Sequence, residues 1–415
     1  MRIENLRTEK RESRSRVVAS VIWEDCDRPG QELYFETEEE FSQDLSCNPD
    51  AFLVACAVPA MHYGEKRVSI DEGVCPELLD GLRVAMSWLS HWFQKDRELP
   101  GIEAKRKSDI PAPRTKERAG LFFSGGIDSF ATLRNNRLTF PLEHPHSVKD
   151  GLVVFGLELD EPEAFDYLLD WLSDAAPAIG IKLIPVYTNL YLPYRDEDAL
   201  HHFHFWWSEY MGAALAAVAH TFVRRLSTVS ISADYDIPNQ RPHGSHPLID
   251  PNYSSFDLQI RHEGLALSRF AKTQLIADWD VALQHLRVCN RYKQYKSGRL
   301  NCGRCEKCVR TMLALLALGV LDRTRAFPDN DVSAELVKAA VKIKPTKIPF
   351  YGQLITPLMQ RGRRDLVQVI EQKISSCDKL QGRSDRQKKM REQISEFDKR
   401  YLKGNLGKFK KSISS

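Results

Sequence analysis

From residue 120 to residue 232 the sequence alternates short, almost wholly apolar runs with longer stretches of helical period, and this alternation constrains the fold more than any other feature. Residues 120–123, 152–159, 181–187 and 227–232 read as buried strands. Residues 127–135, 164–179 and 200–222 read as helices, the last with an alanine-rich face (Ala213, Ala214, Ala216, Ala217). A strand that returns to its sheet through a helix lies parallel to its predecessor, and a parallel sheet must be covered on both faces. The expected core is an α/β domain, a parallel sheet wrapped by helices.

Residues 16–23, 32–37, 51–58 and 66–71 are rich in Val, Ile, Phe and Tyr between turn residues and read as short strands. Residues 76–93 follow with apolar positions at helical spacing, from Leu78 to Trp92, behind Pro76. These segments predict an N-terminal β-rich accessory domain over residues 1–100. A charged, proline-containing stretch without period predicts a linker over 101–117, and the α/β domain then spans 118–322. Beyond it, residues 323–415 predict a helical extension ending in a Lys/Arg-rich tail.

The apolar run most favourable to a membrane falls short of the roughly 18 residues a span requires. The first residues, MRIENLRTEKRESRSR, are charged and have no apolar core behind them. No membrane association is expected, and a cytoplasmic location is. Net charge is only +3, so nucleic acid has no global electrostatic support. The basic segment 379–411 keeps contact with nucleic acid or a phosphorylated partner open, beside the plainer reading of a solvated terminal helix.

Two segments carry chemistry. In the first, Ser124-Gly125-Gly126-Ile127-Asp128-Ser129 stands between a buried strand and a helix start. Paired glycines let successive backbone N–H groups face one anion, and the helix N-terminus adds its dipole. Ser124 and Ser129 can add hydroxyl donors, while Asp128 can cap the helix or hold a magnesium ion. The loop has neither the Lys of a Walker A loop nor the spacing of a dinucleotide fold, so it belongs to another phosphate-binding class.

In the second, four of nine cysteines fall within twenty residues as Cys289-x12-Cys302-x2-Cys305-x2-Cys308. Four thiolates at this spacing complete a tetrahedral shell around zinc, leaving no open position, so the ion would be structural. An iron–sulfur cluster is the rival, but no Cys-Pro follows Cys308. Downstream of the loop, Arg269 and Lys272 lie at i, i+3 on one helix face, suited to one polyanion or to solvent. His201, His202 and His204 sit at adjacent helix positions beside Phe203, Phe205, Trp206 and Trp207, and read as packed rings rather than ligands.

The SGGxDS loop matches the signature of PP-loop ATP pyrophosphatases, of the HUP-like fold. Followed by C-x12-CGRCEKC, it resembles QueC, the 7-cyano-7-deazaguanine synthase family, over residues 118 to about 320. The added N-terminal part and basic extension make it more similar to the QueC-like proteins of bacterial antiphage defence operons. The resemblance implies Mg-ATP held by Ser124, Gly125, Gly126, Asp128 and Ser129, with Arg269 and Lys272 closing over the phosphates and zinc on the four cysteines. It implies a ligase that adenylates a 7-deazaguanine carboxylic acid, releases pyrophosphate and passes the acyl group to an amine, expected on a partner protein encoded nearby. Alternatives are nitrile formation with ammonia, tRNA modification, or a nucleotide-sensing subunit of a defence complex.

Overall fold

The computed structural model describes residues 1–93, 98–107, 117–191 and 205–380. His201, His202 and His204, and the basic segment beyond residue 380, lie outside the described residues. The chain divides into two compact units: residues 1–303 with 323–330, and residues 304–322 with the part from 331 onward.

The first unit is built on one mostly parallel sheet, ten-stranded among the described residues. Its strands are β1 (Arg2–Arg11), β2 (Arg14–Ile22), β3 (Gln31–Glu38), β4 (Arg67–Val74), β5 (Gly101–Arg106), β6 (Ala119–Phe122), β7 (Val148–Phe155), β8 (Lys182–Thr188), β9 (Thr228–Ser232) and β10 (Gln259–Glu263). Their spatial order is β10-β9-β6-β7-β8-β3-β2-β1-β4-β5. From β10 to β8 every neighbour is parallel. The strands β8, β3, β2 and β1 then pair antiparallel, and β1, β4 and β5 pair parallel again.

The expected parallel α/β arrangement is present, and the N-terminal strands extend the same sheet. At the seam β3 meets β8 with Phe35 opposite Thr188 and Thr37 opposite Val186. The Thr37 hydroxyl donates to the Pro185 carbonyl and the Thr188 hydroxyl to the Tyr34 carbonyl, both at 2.7 Å. Asn189 mimics one more pairing, accepting from the Tyr34 N–H and donating to the Glu32 carbonyl. One apolar core, from Met1 to Ile260, runs beneath both parts.

Two expectations are corrected. Residues 51–58 are helical, inside α1 (Pro49–Tyr63), not a strand. The run is buried on all sides, so it has no period of its own, but its ends carry helix signals: Asn48 accepts from the Asp50 N–H, Pro49 follows, and Gly64 closes it at φ 79°. Residues 101–106, expected in a linker, form β5 beside β4. The charged residues 2–11 form β1, tied to β2 by the Arg16–Glu9 ion pair and to β3 by Arg7–Glu32, with Arg7–Glu9 within the strand itself. The strands near 16–23, 32–37 and 66–71, and the helix α2 (Pro76–Phe93), stand where the pattern puts them.

Around the parallel part run α3 (Ile127–Thr139), α4 (Pro162–Ile179), a π-helical turn Trp206–Tyr210 leading into α5 (Met211–His220), α6 (Arg269–Ala277) and α7 (Asp280–His285). In the second unit, α8 (Glu306–Leu318) ends at Gly319, where Arg361 donates to the Ala317 and Leu318 carbonyls. Glu306 on α8 is shared by Arg310 and the hydroxyl of Tyr351, on the later helix Ile348–Gln360. No described helix is long and apolar enough to cross a membrane.

Candidate active site

In the order β8-β7-β6-β9-β10 the chain leaves β6 toward β7 on one side and reaches β9 on the other. The strand order therefore reverses between β6 and β9, and in open α/β sheets ligands bind outside the carboxyl ends of strands at such a point. The segment Phe123–Gly126 fills that position. Phe123 still donates to the Leu152 carbonyl at 2.9 Å, and the backbone then turns sharply. Gly125 takes φ 70°, and a Cβ there would lie 2.8 Å from the Leu172 side chain, so both conformation and space demand glycine.

Gly126 is the N-cap of α3 with an extended backbone, and the first helical bond runs from the Phe130 N–H to the Gly126 carbonyl. The N–H groups of Ile127, Asp128 and Ser129 thus open the helix, aligned with its dipole. The Ser129 hydroxyl donates to the Gly126 carbonyl at 3.1 Å, and the Ser124 hydroxyl accepts from the Gly126 N–H at 3.4 Å. Both serines therefore stand within the loop, at its turn.

Asp128 does not cap the helix. Its carboxylate receives Arg269 Nη1 at 2.7 Å and Lys272 Nζ at 3.2 Å. These cations come from α6, whose N-cap Ser268 accepts from the Ala271 N–H at 3.2 Å. The i, i+3 spacing puts both on the side facing the loop, so the solvated-face alternative is not what the fold adopts. Lys272 is 2 % exposed and also donates to the Ala233 carbonyl at the end of β9. Burial works against the Arg269 charge, but Asp128 and Asp234 outweigh it and hold the guanidinium above its ordinary pKa. The site joins a helix N-terminus, two hydroxyls, one carboxylate and two fixed cations, groups that can address an anion and a hard cation together.

The ligand atoms of Cys289, Cys302, Cys305 and Cys308 all lie within 4.8 Å of one another. Zn–S bonds of about 2.3 Å set tetrahedral sulfurs roughly 3.8 Å apart, and the group lies within the range that could hold such an ion. Gly303 turns at φ 68°, and a Cβ there would collide with Pro328 at 2.5 Å. The Arg291 and Cys308 N–H groups approach the Cys289 and Cys305 sulfurs at 3.4 Å, favouring thiolates. No other group of three or more potential metal ligands occurs among the described residues.

Several site residues gave no sequence signal. The Arg287 N–H donates to the Gly125 carbonyl at 2.7 Å, and its Nε donates to the Tyr295 hydroxyl at 2.6 Å. Glu158, just past β7, accepts from Trp206 Nε1 at 3.1 Å and from the Tyr292 hydroxyl at 3.4 Å. These contacts join segments far apart in the chain. Ser245, His246 and His262 belong to a buried network around Asp250, which accepts from the Ser245 hydroxyl at 2.6 Å and the His246 N–H at 3.2 Å and meets His262 Nδ1 at 2.7 Å. Because serine and histidine both address the carboxylate, this is a scaffold and not a nucleophile relay.

No protein-family model, curated protein or solved structure matches the chain.

Proposed function

We propose that the chain is an ATP-dependent ligase of the PP-loop type that forms AMP and pyrophosphate. One observation carries this reading: the SGGIDS loop lies at the reversal of strand order, with Arg269 and Lys272 already gathered on its Asp128. ATP entering there would place its β- and γ-phosphates against the N–H groups of α3 and the Ser124 and Ser129 hydroxyls. The two cations then have phosphate oxygens as partners, and Asp128 is the residue that would hold Mg²⁺, which supplies charge neutralisation. An incoming carboxylate attacks the α-phosphorus, the α,β bridge breaks, and the electron pair leaves on pyrophosphate. Stabilising that leaving charge is the main catalytic task. The four cysteines would hold a structural zinc ion, whose closed thiolate shell has no position for substrate.

For the substrate we propose a 7-deazaguanine carboxylic acid, on the strength of the loop and cysteine pattern, with the activated acyl group passed to an amine of a partner protein. The N-terminal strands and the basic tail support a macromolecular acceptor, because free ammonia needs no docking surface. Nitrile formation with ammonia is the alternative within the same chemistry. The test is incubation with Mg-ATP, 7-carboxy-7-deazaguanine, an ammonium salt and the proteins encoded beside this one, followed by nucleotide and small-molecule analysis and intact mass spectrometry. The proposal expects AMP with a partner gaining the acyl mass. Free nitrile with an unmodified partner would overturn the conjugation step, and ADP as the main product would overturn the ligase assignment.

A further inference from the structure

Asn301, one residue before the second cysteine ligand, is 1 % exposed. Its side chain makes four hydrogen bonds, all it can. The amide donates to the Leu286 carbonyl at 2.7 Å and the Ala326 carbonyl at 2.8 Å, while Oδ1 accepts from the Val288 N–H at 2.9 Å and the Cys289 N–H at 3.2 Å. Three of the four partners flank Arg287 on both sides. The Arg287 N–H in turn donates to the carbonyl of Gly125, the loop residue at φ 70°. On the other side of Leu286, the His285 carbonyl accepts from Trp171 Nε1 at 2.7 Å, fixing the same segment to α4. Tyr295, whose hydroxyl donates to the Cys289 carbonyl at 2.6 Å, accepts from Arg287 Nε.

A buried Asn with every donor and acceptor matched holds the backbone segments it bridges in one geometry, since rotating its amide would break its bonds. The path from cysteine knuckle to phosphate loop is short: Cys289, Asn301, the 286–289 backbone, Gly125. We propose that Asn301 is a positioning residue that couples metal in the cysteine knuckle to the conformation of the phosphate loop, so that a loaded knuckle raises ATP affinity. The coupling rests on the ATP reading above. It makes the cysteine group more than a distant staple, because its sulfur ligand Cys289 is two residues from the clamp on Gly125. Asn301 itself touches neither nucleotide nor metal.

The variant to make is Asn301→Asp, which keeps the side-chain size and the two acceptor contacts but loses both donors. Zinc content by plasma mass spectrometry, melting temperature, and the Kd for Mg-α,β-methylene-ATP by calorimetry are measured on the full chain. The proposal expects zinc to be retained and the Kd to rise by at least about 10-fold. Coupling is reciprocal, so the wild-type protein gives a second reading that needs no variant: in equilibrium competition with a chromogenic chelator, saturating analogue should tighten zinc by at least about 10-fold. Zinc-loaded Asn301→Asp with an unchanged Kd, or zinc affinity indifferent to the analogue, overturns the proposal while leaving the ATP reading standing. Failure of the zinc-loaded wild type to bind the analogue at all overturns both.

Discussion

The sheet has two parallel stretches whose strands run into helices, and they treat the junction in opposite ways. At the end of β6 the turn into α3 is made by glycines, and the first-turn Asp128 is held by two cations from α6. At the end of β4 the turn into α2 passes through Cys75 and Pro76 without glycine, and the chain supplies its own anion. Asp50, fully buried, accepts from the Cys75 N–H at 2.9 Å and is balanced by Lys107 at 3.1 Å. A helix N-terminus attracts negative charge in either case. In the N-terminal part that attraction is spent on a side chain, whereas at Gly126 no side chain caps the helix. The antiparallel strands between them send successive ends in opposite directions, so no cluster of carboxyl ends forms there.

This contrast can be broken experimentally, beginning with the largest effect. Cys305→Ser should lose zinc and lower the melting temperature by more than about 10 °C, because structural zinc contributes folding free energy directly; the loaded wild type should hold about one zinc per chain and no brown chromophore. Iron in stoichiometric amount would reverse the metal assignment. Next come the two aspartates. Asp128→Ala should reduce turnover by about 10³-fold or more, at a stability cost of about 1–3 kcal/mol for the cations left behind. Asp50→Ala should do the reverse, costing about 3–5 kcal/mol by orphaning a buried partner while the folded fraction binds ATP normally. If Asp50→Ala weakens ATP binding as much as Asp128→Ala does, the two junctions are not functionally separate.

The glycines sharpen the contrast on a smaller scale. Gly125→Ala places a methyl at φ 70° against Leu172, and unfolding calorimetry should record a loss of about 1–3 kcal/mol. Gly126→Ala meets nothing closer than the Ser124 hydroxyl at 3.2 Å, so its stability should change by less than about 1 kcal/mol. Its effect belongs in the nucleotide Kd. Equal losses of stability would show that the loop's shape is not set by Gly125.

The loop and the cysteines were legible because each depends on residue types at short spacing: Ser124–Ser129 within one turn, Cys302–Cys308 within one knuckle. Asp128, Arg269 and Lys272 were legible in part. The helix face was readable from i, i+3, and its place over the loop was expected only through the family resemblance; the direct pairing with Asp128 was not. Arg287 and Asn301 were not legible, since their roles exist only through hydrogen bonds to backbone groups of other segments. The same holds for the fold. Buried parallel strands announce themselves by continuous apolar residues, whereas β1 replaces that signal with the cross-strand ion pairs Arg7–Glu32 and Arg16–Glu9, and β5 is a solvated edge. Residues 51–58 misled because complete burial erases the difference between periods of 2 and 3.6.

The most direct test of the account is exchange of radiolabelled pyrophosphate into ATP in the presence of Mg²⁺ and 7-carboxy-7-deazaguanine. Adenylation at the α-phosphorus is reversible, so the loop at Ser124–Ser129 predicts acid-dependent label in ATP, abolished in Asp128→Ala and retained in Asp50→Ala. Label entering ATP equally in wild type and Asp128→Ala would contradict the site. An enzyme that releases ADP and phosphate and never returns pyrophosphate to ATP would contradict the chemistry.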